Sequence, residues 1–279
     1  IALYDRIIVG RMSTPARARE SVLVHFALRY GLHDARSVTS PAFLFDDADW
    51  ERNPAFRSLE GGDVLVLNER IVLIGCSQRT SAETIERLCA EVLFPSFPRL
   101  ERVHAVLMPR ARSVMHLDTI LTAIDHQLFL GHAPMIVNKE GILVVELARN
   151  KPHKVLEGLS VADLLRRELG PETQVVPCGG DRRLHQLREQ WTDGANAVCL
   201  APGRIVLYAR NVRTTRTLVQ DHGFRNVELS AFQSDEERQQ RLAAIQPGER
   251  VVYTFGGGEL SRARGGGRCL TMPLTRGRT

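Results

Sequence analysis

A short strand pattern, Arg-Ile-Val-Leu, occurs twice in this chain, as Arg70-Ile71-Val72-Leu73 and as Arg204-Ile205-Val206-Leu207. Each copy is followed after five residues by Arg-Thr, at Arg79-Thr80 and Arg213-Thr214. Each also closes a hairpin. Val64-Leu65-Val66-Leu67 leads into the first copy across Asn68-Glu69-Arg70, and residues Ala197 to Leu200 lead into the second across Pro202-Gly203. Two apolar runs joined by a short turn-forming stretch read as paired strands. Between and beyond the copies, Val103 to Met108, Leu128 to Gly131 and Ile142 to Val145 read as further strands, and residues 160–169, 181–190, 214–221 and 234–244 as helices. Recurring strand, strand, helix, strand units predict a modular α/β fold with internal pseudosymmetry, not a parallel doubly wound sheet.

The N-terminal part fits this pattern. Arg6 to Gly10 reads as a strand, and Pro15-Ala16-Arg17 opens an amphipathic helix to about Tyr30, with Val22, Leu23, Phe26, Ala27 and Leu28 on its apolar side. Strand-like Phe43-Leu44-Phe45 precedes an acidic, aromatic loop from Asp46 to Trp50. Ser81 is placed to cap the next helix, with Glu83 near its positive end. No linker divides the chain, so residues 1–279 are expected to form a single domain.

A hydrophobic content of 43% with 25% charged residues belongs to the globular class. No apolar run approaches the roughly 18 to 20 residues of a membrane helix, so no membrane partner is expected. The five cysteines show no CxxC spacing, which argues against a disulfide framework or a zinc finger and favours a reduced, cytoplasmic setting. A net charge of +5 comes with arginines scattered singly or in pairs, without an aromatic-interleaved basic stripe, so nucleic acid is not expected as a partner. Arginine does suit a bidentate grip on a carboxylate. The chain begins at Ile1 without a methionine or a basic, apolar leader, and is expected to be a piece of something longer.

Three stretches carry candidate chemistry. Gly265-Gly266-Gly267 permits a tight turn that delivers Cys269, a candidate nucleophile in an otherwise apolar, strand-like segment; the alternative is a glycine-rich loop beside a structural cysteine. In Met115-His116-Leu117-Asp118-Thr119, an extended backbone would place His116 and Asp118 on one face as an oriented acid/base pair, or the two could simply close a loop by hydrogen bonds. Glu60-Gly61-Gly62-Asp63 puts two carboxylates around a glycine pair before an apolar strand. It reads as a cation-binding turn or as a plain entry to a hairpin. Together the three supply a nucleophile, a proton carrier and carboxylates for a cationic electrophile. A cysteine protease and a zinc site fit less well, because the acidic clusters suit a guanidinium better than a peptide bond and the metal-ligand types lack local spacing.

Five stretches in order, Leu59-Glu60-Gly61-Gly62-Asp63, Gly75-Cys76-Ser77-Gln78-Arg79-Thr80-Ser81, Met115-His116-Leu117-Asp118-Thr119, Gln190-Trp191-Thr192-Asp193-Gly194-Ala195-Asn196 and Arg268-Cys269-Leu270-Thr271-Met272-Pro273-Leu274, resemble the motifs of the arginine deiminase family, of the guanidino-group modifying superfamily. The resemblance implies an α/β propeller of ββαβ modules around a central pocket, and hydrolysis of L-arginine to L-citrulline and ammonia without metal or cofactor, by a homo-oligomer. It implies Cys269 as nucleophile, His116 as proton donor and water activator, Asp118 as holder of guanidinium nitrogens, and Glu60 as support for His116 and substrate. Arg17, Arg79 and Arg264 match positions that grip the amino-acid end, and Asp63 matches a further motif position. The family's additional guanidinium-binding aspartate, in an Arg-Asp-Pro motif, would fall just before Ile1, together with a first module and an inserted helical domain. Asp5, next to Arg6 in reverse order and without proline, is not its replacement. These 279 residues alone are therefore expected to show little or no deiminase activity. A related guanidine deiminase or amidinotransferase, or a non-catalytic ligand-binding or assembly fragment, are the alternative readings.

Overall fold

The structure is a computed structural model that describes residues 1–4, 6–31, 42–45, 57–231, 234–262 and 264–273. The acidic loop from Asp46 to Trp50, Asp5, and Leu274 of the C-terminal motif lie outside the described residues. The chain forms two compact units, the first built mainly from Ile1–Leu117 and Gly141–Gly158, the second from Asp118–Glu140 and Leu159–Thr271.

In the first unit the expected hairpin forms: Val64–Val66 pairs antiparallel with Ile71–Cys76, Leu65 opposite Leu73. Ile71–Cys76 then runs parallel to Arg102–Leu107. Parallel neighbours need a crossover, which helix Ala82–Leu88 and the turns after it provide. Ser81 caps that helix as expected, its Oγ accepting from the Thr84 N–H at 3.2 Å. Leu143–Ala148 and Lys154–Val155 complete a five-stranded mixed sheet. Ile71, Val72 and Leu73 are all fully buried, so this strand reads as an unbroken apolar run because protein covers both of its faces. Ala2–Leu3, Arg6–Ile8 and Ala42–Phe45 form a second, small sheet.

The expected N-terminal helix runs its expected length but is differently exposed. Its α-helical part spans Ala18–Phe26, entered through a 3-10 turn at Pro15–Arg17 and left through a π turn at Ala27–Gly31. Val22, Leu23 and Phe26 are 60%, 64% and 64% exposed, and of the five residues assigned to the apolar side only Leu28 is buried. Val22, Leu23 and Val24 are consecutive, and consecutive side chains fan around a helix instead of forming one stripe.

The second unit repeats the scheme. Leu121–Asp125 and Leu128–Gly131 form a hairpin, helix Val161–Leu169 crosses over, and Gln174–Pro177 returns parallel to Leu128–Gly131. Then Val198–Ala201 and Arg204–Tyr208 form the hairpin read from the second sequence copy, with Gly203 at φ 72° in its turn. Helix Val212–His222 follows, and Val251–Phe255 runs parallel to Arg204–Tyr208 with Arg225–Glu228 outside it. The first turn of helix Val212–His222 is held by a distant carboxylate: Glu189 accepts from the Arg213 and Thr214 N–H groups and from Thr214 Oγ1, each at 2.8 Å. An anion on those otherwise unpaired donors satisfies them and favours the helix dipole. Among the described residues no helix is long and apolar enough to cross a membrane.

His132, 4% exposed with its Nδ1 lacking a partner among the described residues, is held neutral: burial pushes its pKa down to about 4 against the pull of Glu140, with a smaller push from the Arg183 charge. Below pH 6.5 the unfolded chain takes up a proton there that the folded chain refuses, so this residue makes stability fall as pH falls from 6.5 toward 4. Between pH 6.5 and 5 the loss is roughly 2 kcal/mol. In His132→Gln the drop in unfolding free energy over that interval, read from urea titrations, is expected to shrink by about that amount; equal drops in both proteins would refute the assignment.

Candidate active site

In the first unit a 3-10 turn at Gly61–Asp63 feeds strand Val64–Val66 and leaves Glu60 at its mouth, 2% exposed. Its carboxylate accepts from the Ser13 N–H at 3.0 Å and from Arg17 Nη1 at 2.7 Å, and lies 2.9 Å from His116 Nε2. An ionised carboxylate only accepts, so the His116 proton sits on Nε2. Burial works to raise the Glu60 carboxyl, but the hydrogen bonds from His116 and Ser13 and the charges of His116 and Arg17 outweigh it and leave a pKa of about 2. Arg79 Nη1 approaches the same carboxylate at 3.7 Å, while its Nε is buried without a partner. Arg17 also holds Glu20 through two contacts of 2.9 and 2.8 Å. Four of the sequence-selected residues, Glu60, His116, Arg17 and Arg79, thus form one cluster.

Asp63 supports that cluster. It is fully buried, and its carboxylate accepts from Ser77 Oγ and Thr80 Oγ1, both at 2.7 Å, and from the Leu117 N–H at 2.9 Å. Burial pushes its pKa up to about 7 against those bonds and the His116 charge. A Cβ on Gly75 would lie 2.5 Å from Asp63 Oδ1 and 2.9 Å from Leu117 Cβ. Gly75→Ala is accordingly expected to lower the unfolding free energy by about 2 kcal/mol in chemical denaturation, as overpacking does; an unchanged midpoint would show that this spot yields freely.

A cleft of about 800 Å³ in the same unit, lined by Ser13, Ser77 and Thr80 and flanked by Arg11, Arg57 and Arg110, has none of the sequence-selected residues in its wall.

The backbone at His116 is not extended. Residues Leu117–Thr119 form a 3-10 turn, so alternation along a strand does not set the directions of His116 and Asp118.

The second unit carries Asp118, Cys269 and Arg264. The strand-like segment expected around Cys269 is instead a 3-10 turn at Arg268–Leu270, closed by the Cys269 N–H on the Gly266 carbonyl at 3.1 Å and the Leu270 N–H on the Gly267 carbonyl at 3.1 Å. The glycines bring this turn against the unit: a Cβ on Gly266 would stand 2.2 Å from Asn196 Oδ1. Cys269 is exposed, with Sγ 3.7 Å from Asn196 Oδ1. Asp118 is 3% exposed; its Oδ2 accepts from Arg268 Nη1 at 2.7 Å, and its Oδ1 has no partner among the described residues. Asp193, 2% exposed at φ 60°, likewise keeps Oδ2 unpartnered, and burial and the Asp118 charge push its pKa up to about 6 against the charges of Arg264 and Arg210. Desolvation and then the Asp118 and Asp193 charges push the Cys269 thiol up to about 12, against the Gly266 hydrogen bond and the Arg268 charge. A bound cation would counter the part of that shift that the two carboxylates supply. Arg264 lies 4.3 Å over the Trp191 ring and donates Nη1 to the Trp191 carbonyl at 2.5 Å. Tyr208 pins the glycine run, donating to the Gly265 carbonyl at 2.6 Å.

Arg268, Asn196, Asp193 and Tyr208 received no role from the sequence. A signal existed for two of them, since Asp193-Gly194-Ala195-Asn196 copies the pattern of Glu60-Gly61-Gly62-Asp63. Among the other thiols, Cys89 and Cys178 are buried, also with pKa values of about 12, Cys76 is half-buried, and Cys199 is exposed like Cys269.

This mixed α/β fold occurs in solved structures of low sequence identity. AgrE in a ternary complex with ornithine and NAD+ aligns with a TM-score of 0.55 at 15% identity, over 98% of this chain and 29% of that one. ArgZ, an arginine dihydrolase from the cyanobacterial ornithine-ammonia cycle, aligns at 0.54 and 14%, over 100% of this chain and 31% of that one. A dimethylarginine dimethylaminohydrolase adduct with S-methyl-L-thiocitrulline aligns at 0.51 and 16%, over 96% and 71%. At the level of sequence, residues 1–276 match the arginine deiminase family. Arginine deiminases of Listeria monocytogenes and Listeria innocua are 36% and 37% identical to this chain over 97% of its length, and that of Bacillus cereus is 34% identical over 98%. The chain belongs to the arginine deiminase family. It spans 58% of the length of these relatives.

Proposed function

We propose that this chain, within the longer protein its sequence leads one to expect, hydrolyses L-arginine to L-citrulline and ammonia through a covalent Cys269 intermediate, its ββαβ modules forming a single catalytic domain of α/β propeller type, in a cytoplasmic homo-oligomer. The observation that carries this reading is an exposed thiol at two buried carboxylates, Asp118 and Asp193, each with an unpartnered oxygen. Such a site is poor for an anion or a neutral amide and good for a cation that is also an electrophile, which describes a guanidinium.

The same charges explain how a thiol at about 12 becomes reactive. A cation about 4 Å away at an effective dielectric of about 20 is worth roughly 4 kcal/mol, or about three pKa units. Substrate binding thus raises the thiolate fraction about a thousandfold, the proton leaving to solvent, and that thiolate attacks the substrate. Cys269 Sγ bonds to the guanidinium carbon, the carbon–nitrogen bond breaks, and His116 gives its proton to the departing ammonia. Neutral His116 then takes a proton from water, the hydroxide adds to the thiouronium carbon, and the carbon–sulfur bond breaks to release citrulline. Glu60, bonded to His116, keeps the imidazole oriented and favours its charged form. Arg264 takes the substrate carboxylate, with Arg17 and Arg79 at the Glu60 cluster assisting. Asp63 acts beneath them by fixing the Leu117 backbone.

The test is product analysis with L-arginine, agmatine and Nω-methyl-arginine, with and without an amine acceptor. Citrulline from arginine, unaffected by the acceptor, supports the proposal. Turnover of agmatine alone, or transfer of the amidino group to the amine, would replace it.

A further inference from the structure

The two hairpins that repeat in sequence share more than their strands. Glu60-Gly61-Gly62-Asp63 enters the first, and Asp193-Gly194-Ala195-Asn196 enters the second: an acid, a glycine, a small residue, then Asp or Asn. The motifs are offset by 133 residues and the Arg-Ile-Val-Leu strands by 134, and the additional residue is absorbed where the pairing register shifts between Cys199 and Ala201. The fourth residue does corresponding work in each unit. In the first unit Asp63 accepts from the Leu117 N–H at 2.9 Å, and in the second Asn196 Nδ2 donates to the Asp118 carbonyl at 3.1 Å. An N–H needs an acceptor and a carbonyl needs a donor, so the choice of Asp in one copy and Asn in the other follows from the backbone group each one meets.

An amide has a second function that a carboxylate in this place would lack. While Nδ2 holds Asp118, Oδ1 accepts from the Arg268 N–H at 3.0 Å and lies 3.7 Å from Cys269 Sγ. Asn196 is 1% exposed, and Gly266 packs so closely on it that any side chain there would collide. One buried amide therefore ties the backbone of a guanidinium-binding carboxylate to the turn that carries the nucleophile.

We infer that Asn196 is the positioning residue of the nucleophile, fixing Cys269 relative to Asp118. The inference rests on the arginine reading of that site but concerns a tether that exists with or without turnover. Misplacing a nucleophile by about an ångström costs on the order of 100-fold in rate. In Asn196→Ala, kcat per iodoacetamide-reactive Cys269 is expected to fall about 100-fold while KM stays within about threefold of the unsubstituted chain. Hydrogen exchange at the amides of residues 266–270, followed by mass spectrometry, is expected to rise at least about tenfold, because the Arg268 N–H loses its acceptor. Gly266→Ala, which pushes the same contact from the other side, should behave alike, and it carries the test if Asn196→Ala does not fold.

A merely structural asparagine would lower the thermal midpoint and the count of reactive thiols but leave kcat per thiol unchanged, and that result would overturn the inference. So would unchanged exchange at 266–270. If a longer protein that carries this chain makes no citrulline, the arginine reading fails. The exchange measurement and the alkylation rate of Cys269 then decide the tether alone, unchanged values for both sinking it.

Discussion

Cys269→Ala is expected to abolish citrulline formation, with a loss on the order of 10⁵-fold or more, as removal of a covalent nucleophile does in other enzymes. The effect should be confined to that cysteine. Cys89 and Cys178 are buried, and Cys76 and Cys199 lack the pair of carboxylates unpartnered among the described residues, so single alanine substitutions at these four should retain activity. Folding is not at issue, because the Cys269 side chain is exposed and contributes little to any core. Citrulline production by Cys269→Ala, measured beside its unchanged circular dichroism and melting curve, would end the nucleophile assignment.

The second large effect is expected at Glu60, and it combines stability with activity. Its buried carboxylate serves the Ser13 N–H, Arg17 and His116 together. Glu60→Ala leaves those donors facing a cavity. Breaking a buried ionic cluster from one side costs about 3 to 5 kcal/mol, and the lower end applies because Arg17 is 38% exposed and keeps Glu20. The loss has a pH signature. A carboxyl held at about 2 against an ordinary 4.5 contributes stability that is fully present above pH 4.5 and disappears as pH falls toward 2. The gap in urea midpoint between the unsubstituted chain and Glu60→Ala should therefore be widest near neutrality and narrow below pH 4.5. A gap independent of pH would show that packing, and not charge, is what Glu60 supplies. Turnover should fall on the order of 10³-fold, the scale of losing an oriented acid/base group.

The architecture was legible where local chemistry decides it. Val64 to Leu67 against Ile71 to Ile74, and Ala197 to Leu200 against Arg204 to Tyr208, are apolar runs split by turn residues; both hairpins form, the second with its first strand at Val198–Ala201. Ser81 caps the helix it precedes. The features that were misread depend on partners distant in sequence. The Cys269 segment is apolar enough for a strand, but it turns because glycines let it pack on Asn196, 73 residues upstream. Nothing near Glu189 marks it as the anion on the first turn of helix Val212–His222, since its donors lie more than twenty residues away. The exposed Val22, Leu23 and Phe26 carry an apolar signature that no described neighbour answers.

In the candidate site the sequence pointed to residues that cluster, but it did not give their geometry. Glu60, His116, Arg17 and Arg79 do meet in the first unit, yet the arginines meet a carboxylate of their own chain there. Asp63 is a buried support bonded on three sides, which its place in an acid-glycine motif does not distinguish from an exposed binding group. Asn196 escaped selection because an asparagine carries no charge and titrates nowhere. Only its simultaneous bonds to Asp118 and Arg268 show what it does.

Whether Cys269 bonds covalently to arginine is settled most directly by rapid acid quench of the chain with L-arginine, followed by intact-mass and peptide analysis. The expected result is a transient species heavier by arginine less ammonia, mapped to Cys269, whose formation and breakdown are both slowed in His116→Ala. Citrulline formed at the full rate with no such adduct at any time, or with the adduct on another cysteine, would contradict it.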